Sequence, residues 1–209
     1  MSSGASEFLK QRLEPEQYAK LARIANASLH SFVAHYMELC KPDRVFVCND
    51  TAEDIEYIRQ AALRDGEEWP LAIPGHTYHF DGYYDQARDR KNTRLLLPKG
   101  VKLGSHFETM DRDIGLADVI KQLDGIMRGH TMYVRLVCLG PTNSPFSILA
   151  VQLTDSAYVA HNEDLLYRRG YQEFVRLGAA ADFFRFVHSA GELINGVSKN
   201  VEKRRVFID

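Results

Sequence analysis

RGHTMYVRLVCLGPTNSPFSILAVQLTDSAYVAH, from Arg128 to His161, decides the fold class of this chain. His130 to Leu139 and Ser147 to Leu153 are nearly continuous apolar runs of strand length, the pattern of central strands covered on both faces. Between them, Gly140-Pro141-Thr142-Asn143-Ser144-Pro145 is turn chemistry, because glycine supplies unusual dihedrals and proline fixes its own. The stretch therefore reads as two paired strands inside a sheet, running out into Thr154-Asp155-Ser156.

Upstream, the pattern changes period. From Glu16 to Cys40, Tyr18, Leu21, Ala25, Leu29, Phe32, Tyr36 and Leu39 recur every three or four residues, which predicts one long helix stopped by Lys41-Pro42-Asp43. The first dozen residues are small and polar and predict a flexible start over residues 1–15. Arg44 to Cys48 reads as a strand, and Thr51 as the N-cap of a helix that places Ile55, Ile58 and Leu63 inward and ends before Gly66. Trp69 to Pro74 supplies a short strand, residues 75–94 a polar aromatic loop, Leu95 to Leu97 a strand, and Gly115 to Met127 a helix.

Downstream, Glu163 to Leu177 and Ala181 to Val187 read as helices, and Arg204 to Asp209 as a last strand that stops without turn or tail, as if a larger protein continued there. With no repeat or linker in view, residues 16–209 are expected to form a single α/β domain, a mixed β-sheet with flanking helices.

Composition excludes some partners. The 209 residues carry 26 basic and 28 acidic side chains, a net charge of −2, which offers no global field for nucleic acid or an anionic membrane. No stretch approaches the ~20 apolar residues of a membrane-spanning helix, and the N-terminus lacks the apolar core of a signal peptide. Cys40, Cys48 and Cys138 are odd in number and widely spaced, which fits reduced thiols in a cytoplasmic protein.

Candidate chemistry is sparse. His76 and His79 have an H-x-x-H spacing that His106 could complete as a metal site, yet no acid or cysteine has matching spacing, and Tyr78 and Phe80 favour a packed aromatic loop. Asp111, Asp113 and Asp118 read as acids at the start of a helix, favoured by its dipole. Ser144, Ser147 and Ser156 lack a base and orienter at workable spacing and read as hydroxyls that satisfy turn backbone. There is no phosphate loop, dinucleotide fingerprint or nucleophile elbow. Residues 87–94, ARDRKNTR, concentrate four cations, which composition alone assigns to a solvated loop, although an arginine there could present a planar fork to a carboxylate or phosphate.

Three words in order, G-H-T-M-Y-V from Gly129, G-P-T-N-S-P from Gly140 and Q-L-T-D-S-A-Y-V from Gln152, resemble the N-terminal domain of the GTP-dependent phosphoenolpyruvate carboxykinase family. There the corresponding words are G-R-T-M-Y-V, G-P-x-G-S-P and x-L-T-D-S-x-Y-V. Weaker similarity extends to Glu38-Leu39-Cys40-Lys41-Pro42-Asp43, to Ala87-Arg88 with Lys91-Asn92-Thr93, and to Val187-His188-Ser189.

The resemblance implies a domain that grips oxaloacetate or phosphoenolpyruvate through one arginine, matching Arg88, while Arg90, Lys91 and Arg94 stay solvated or structural. It implies no cofactor in this chain. The divalent metal (manganese or magnesium), the phosphoryl donor and their ligands would belong to a C-terminal domain of the same polypeptide, so this chain alone would be inactive. Two departures mark a divergent member: Asn143 replaces the glycine of the second word, and residues 160–171 replace a methionine-rich stretch ending in T-R-M-G. They keep open GTP or pyrophosphate as donor, and a stand-alone binding or regulatory module as the other class of function.

Overall fold

A computed structural model describes residues 2–79, 93–191, 193–194, 197–198 and 206–208. Three helices open the chain: α1 (Ser2–Arg12), α2 (Pro15–Ala22) and α3 (Ala27–Cys40). Residues 2–12, read from sequence as a flexible start, are thus helical, and Leu9 is fully buried.

The single helix expected over 16–40 is two. Asn26 sits in extended backbone and its side chain accepts the amide of Leu29, starting α3 afresh, while its Nδ2 donates to the carbonyls of Gly178 and Ala181. A capping side chain that also ties a distant segment outweighs an unbroken apolar stripe. The stop at Lys41 is as expected: Lys41 takes a left-handed φ of 54° and its amide closes on Met37.

β1 (Arg44–Val47) and α4 (Ala52–Arg64) follow, the helix capped by Thr51 Oγ1, which accepts the Asp54 amide at 3.3 Å. Next come a short hairpin of β2 (Trp69–Pro70) and β3 (Thr77–Tyr78), then β4 (Thr93–Leu97), β5 (Thr109–Asp111) and α5 (Arg112–Leu123). The long pair is β6 (Thr131–Leu139) and β7 (Ile148–Thr154), antiparallel in register from Tyr133 opposite Thr154 to Leu139 opposite Ile148.

The C-terminal third departs from expectation. In place of one helix over 163–177 there are α6 (Ala157–Leu166), β8 (Arg168–Arg169) and α7 (Tyr171–Leu177). Ser156 caps α6 by accepting the Val159 amide, so the helix starts six residues early, and β8 then leaves it to pair with β6. Gly170 follows at a point where a Cβ would stand 2.7 Å from the Val137 carbonyl carbon, which forbids a helix carrying side chains past it.

The helix expected over 181–187 is instead a strand, β9 (Phe183–His188), in parallel register with β7. Its sequence, FFRFVH, is aromatic and β-branched, and pairing with β7 satisfies its backbone. Short strands β10 (Leu193–Ile194), β11 (Val197–Ser198) and β12 (Val206–Ile208) follow, β12 pairing with β4.

The main sheet runs β1-β6-β7-β9 with β8 beside β6, a mixed sheet as expected. One face, with Val134, Leu136 and Cys138 of β6, Val151 and Leu153 of β7 and Phe183 of β9, is sealed by residues of α1 to α3 such as Leu9, Leu21, Leu29 and Val33. Each such side chain contributes about 1.5–3 kcal/mol of burial. On the opposite face α4 and α6 cover the β1 and β6 side, where Phe46, Cys48 and Tyr133 pack against Ile58, Ala61, Ala62, Ala157 and Ala160.

Candidate functional site

The polar groups converge where β7 and β9 end side by side. Parallel pairing sets Thr154 opposite His188, with Thr154 Oγ1 and His188 Nδ1 2.9 Å apart. Burial holds the His188 imidazole below its ordinary pKa, partly opposed by the nearby Asp155 carboxylate, so the ring is neutral at neutral pH. Asp155 accepts the Ser189 hydroxyl at 2.5 Å and the Ala190 amide at 2.9 Å, which fixes the chain leaving β9.

Ser156 starts α6, and the loop after α4 reaches over to meet it. Glu67, 4% exposed, spreads its carboxylate over the N-terminus of α6: Oε1 accepts the Ala157 amide at 3.0 Å, and Oε2 accepts the Tyr158 amide at 3.1 Å and the Ser156 hydroxyl. A helix N-terminus attracts anions. Here an internal carboxylate already fills that position, so this helix end holds the protein's own acid and not a ligand. Burial pushes the Glu67 carboxyl above its ordinary value against the pull of those three bonds.

Two further contacts fasten the same loop to α6. Glu68 Oε1 lies 2.7 Å from His161 Nδ1, and the His79 ring stacks on Tyr158 with centroids 3.7 Å apart while its Nδ1 is 2.6 Å from the Glu67 carbonyl. His79 is thereby committed to packing. His76 stays exposed, 3.3 Å from the Pro74 carbonyl of its own turn, and His106 is exposed beside Phe107. The three histidines are not brought together, and among the described residues no cluster of His, Cys, Asp or Glu has the makings of a metal site.

The other sequence candidates have structural partners. Asp111 caps α5 by accepting the amides of Asp113 and Ile114, while Ser147 donates to the Pro141 carbonyl and Ser144 accepts the Phe146 amide within the turn. Arg88, Arg90 and Lys91 lie outside the described residues. Arg94, on β4, stands 3.8 Å from Glu108.

Sequence reasoning passed over Arg135, fully buried in the middle of β6. Its guanidinium bonds Asp164 of α6 and the Cys48 sulfur, and lies 3.7 Å from Asp50. The lone charge in MYVRLVCL was the available signal, since an arginine in a central strand must find buried partners. With both terminal nitrogens engaged and only its buried Nε without a partner, Arg135 is a framework cation and is closed to a substrate anion.

The described residues thus build a corner in which acids hold backbone amides, His79 stacks on Tyr158, His161 meets Glu68 and His188 meets Thr154.

The family model for the phosphoenolpyruvate carboxykinase N-terminal domain matches residues 31–209. The chain is similar to "Phosphoenolpyruvate carboxykinase [GTP]" of Pyrococcus horikoshii, 55% identical over 204 residues, covering 97% of this chain and 33% of that protein. Proteins of the same name from Thermococcus sibiricus (54% over 204 residues; 97% and 33%) and Pyrococcus furiosus (50% over 210 residues; 100% and 34%) match as fully. The chain spans about a third of the length of the curated relatives it matches.

Proposed function

The chain belongs to the phosphoenolpyruvate carboxykinase family, matching its N-terminal domain, and from that premise we propose that it is the substrate-side domain of an enzyme interconverting oxaloacetate and phosphoenolpyruvate with GTP as phosphoryl donor. The observation that carries the reading is the match over residues 31–209, joined to relatives whose names specify GTP. Nothing favours the pyrophosphate-dependent type over it. We treat residues 16–209 as one α/β domain and place the protein in the cytoplasm, in keeping with three buried, unpaired thiols.

In this chemistry a carbon–carbon bond of oxaloacetate breaks, carbon dioxide leaves, and the electron pair becomes the enolate of pyruvate. The enolate oxygen then bonds the γ-phosphorus of GTP as GDP departs. A divalent ion, manganese or magnesium, neutralises charge on the transferring group when bound. The described residues do not fit such an ion, because Glu67, Asp50, Asp155 and Asp164 are already bonded within the fold. We therefore assign metal and nucleotide to the remaining two thirds of the polypeptide and give this chain no step through them.

Its own contribution is Arg88, whose planar fork grips the substrate carboxylate bidentately and holds it as the enolate forms. The Glu67, His79 and Tyr158 contacts support this role by fastening the chain to α6 just before the segment that carries Arg88. In the full polypeptide, Arg88→Ala is expected to lower kcat/KM for oxaloacetate at least about tenfold, the loss of one charge-assisted bond. An unchanged kcat/KM would remove Arg88 from the site.

The division of labour has its own test. Supplied with oxaloacetate, GTP and manganese, the full polypeptide makes phosphoenolpyruvate, and the 209-residue chain gives no more than the protein-free blank. Robust turnover by the short chain alone would sink the reading.

A further inference from the structure

Helices α4 and α6 cover only half of the second face of the main sheet. By register, Leu139, Ile148, Phe184 and Phe186 share that face on its β7 and β9 side: Leu139 pairs with Ile148, Ala150 with Phe184, and Gln152 with Phe186. All four large side chains are exposed, Phe184 at 63%, and Phe146 of the adjoining turn at 76%. The face bears no charge along these positions, since Arg185 points the other way to Ser28 and stacks on Phe183. β9 is also an outer strand of its sheet among the described residues. An aromatic edge strand without proline, whose one charge, the exposed Arg185, lies on the opposite face, is a template for association on this face unless something covers it.

The covering must be polypeptide, because a paired edge and a broad apolar face call for backbone and side chains together. Resting on the reading of this chain as one domain of a longer carboxykinase, we infer that the β7 and β9 half of this sheet face, centred on Phe184 and Phe186, is the docking surface for the remaining two thirds of the polypeptide. The length relation favours that occupant over a second copy: the chain covers 33% of the relatives it matches, so on that reading a body about twice its size is tethered to it in the same polypeptide. The same face continues, one row beyond Phe186, to His188 and the Thr154 corner. Docking there brings the larger body against the end of the sheet where Asp155 and Ser156 fix the loops.

The test places a reporter on the surface. Cys40, Cys48 and Cys138 are buried, and burial pushes the Cys40 and Cys48 thiols up to about 12, so a cysteine replacing Phe184 is the reactive thiol of this domain. Phe184→Cys is prepared in the 209-residue chain and in the full polypeptide, and maleimide modification at position 184 is followed by peptide mass. Labelling is expected to slow at least about tenfold in the full polypeptide, as for any group that reacts only when an interface opens. Ile148→Cys serves as an independent reporter with the same expectation.

Equal rates in both proteins at both positions, in a full polypeptide that still makes phosphoenolpyruvate, would overturn the docking surface and leave the functional reading intact. Protection already present in the short chain, with a dimer in sedimentation velocity, assigns the face to a second copy and also overturns it. A full polypeptide that protects both positions yet turns over no oxaloacetate supports the surface and counts against the function.

Discussion

Arg135→Met is expected to remove about 3–5 kcal/mol of unfolding free energy, read by urea denaturation of the chain near neutral pH, because it deletes one partner of a buried charge cluster. Methionine fills much of the same volume, so packing is a small part of the effect. The loss comes from what stays behind: Asp164 of α6 and Asp50, whose side chain is 5% exposed, keep their positions without a counter-charge. Asp50 is itself fixed, in left-handed backbone at φ 65° with Oδ2 accepting the Tyr171 amide at 2.9 Å, so it cannot swing out to water cheaply.

The pH dependence has a definite sign. Burial holds the Asp50 carboxyl above its ordinary value even though Arg135 pulls it down, so removing Arg135 raises it further. With the folded-state value above the unfolded one, the unfolded chain loses its proton first as pH rises. The deficit is therefore largest above the folded-state value and shrinks as pH falls, vanishing only below about 4, where the unfolded state is protonated as well. A deficit that does not change between neutral pH and pH ~4 would mean the cost is cavity or strain and not charge. Replacing Asp50 and Asp164 by asparagine in the same variant should restore most of the loss, since an apolar or neutral substitute for a whole buried cluster is nearly free.

How far the sequence led depended on the range of the forces concerned. The β6 and β7 pair was legible because strand length, apolar continuity and turn chemistry all lie within the 34 residues that form it. The capping of α4 by Thr51 and the stop at Lys41 are equally local. β9 was misread because FFRFVH fits a short helix or a strand, and its pairing with β7 settles the matter from a segment about thirty residues upstream. The helix expected over 163–177 failed at Gly170, where the constraint is the backbone of β6.

The polar corner was less accessible still. Arg135 and Asp164 are separated by 29 residues, Glu67 and Ser156 by 89, and no periodicity links such pairs. Arg88, in contrast, came from the resemblance alone, since a cationic loop has no intramolecular partner pattern that marks one member for a ligand.

Glu67→Ala is the second large effect, with an expected loss of about 2–4 kcal/mol on the same urea measurement, above the ~1 kcal/mol typical of a lost helix cap. The excess arises because Ser156 remains as the ordinary cap through the Val159 amide, while Glu67 serves the donors Ser156 leaves unserved. Ala157 is fully buried and Tyr158 half-buried, and the Ser156 hydroxyl that also donates to Glu67 belongs to a residue 2% exposed, so deleting the acceptor strands these donors largely away from bulk water. Each stranded donor costs about 1–3 kcal/mol, moderated where a water fits the space the side chain vacates.

Glu67→Gln separates charge from shape. The amide keeps one acceptor oxygen but turns a donor toward a site ringed by donors, so it should recover less than half of the loss. Burial holds the Glu67 carboxyl above its ordinary value, so the folded form of the native chain keeps its proton longer than the unfolded form, and this residue's contribution declines as pH rises through that interval. Glutamine cannot titrate, and the decline disappears with it. A Glu67→Ala loss below about 1 kcal/mol would mean that water replaces the carboxylate at the α6 N-terminus and that Glu68 with His161 and the stacked His79 and Tyr158 suffice to hold the loop.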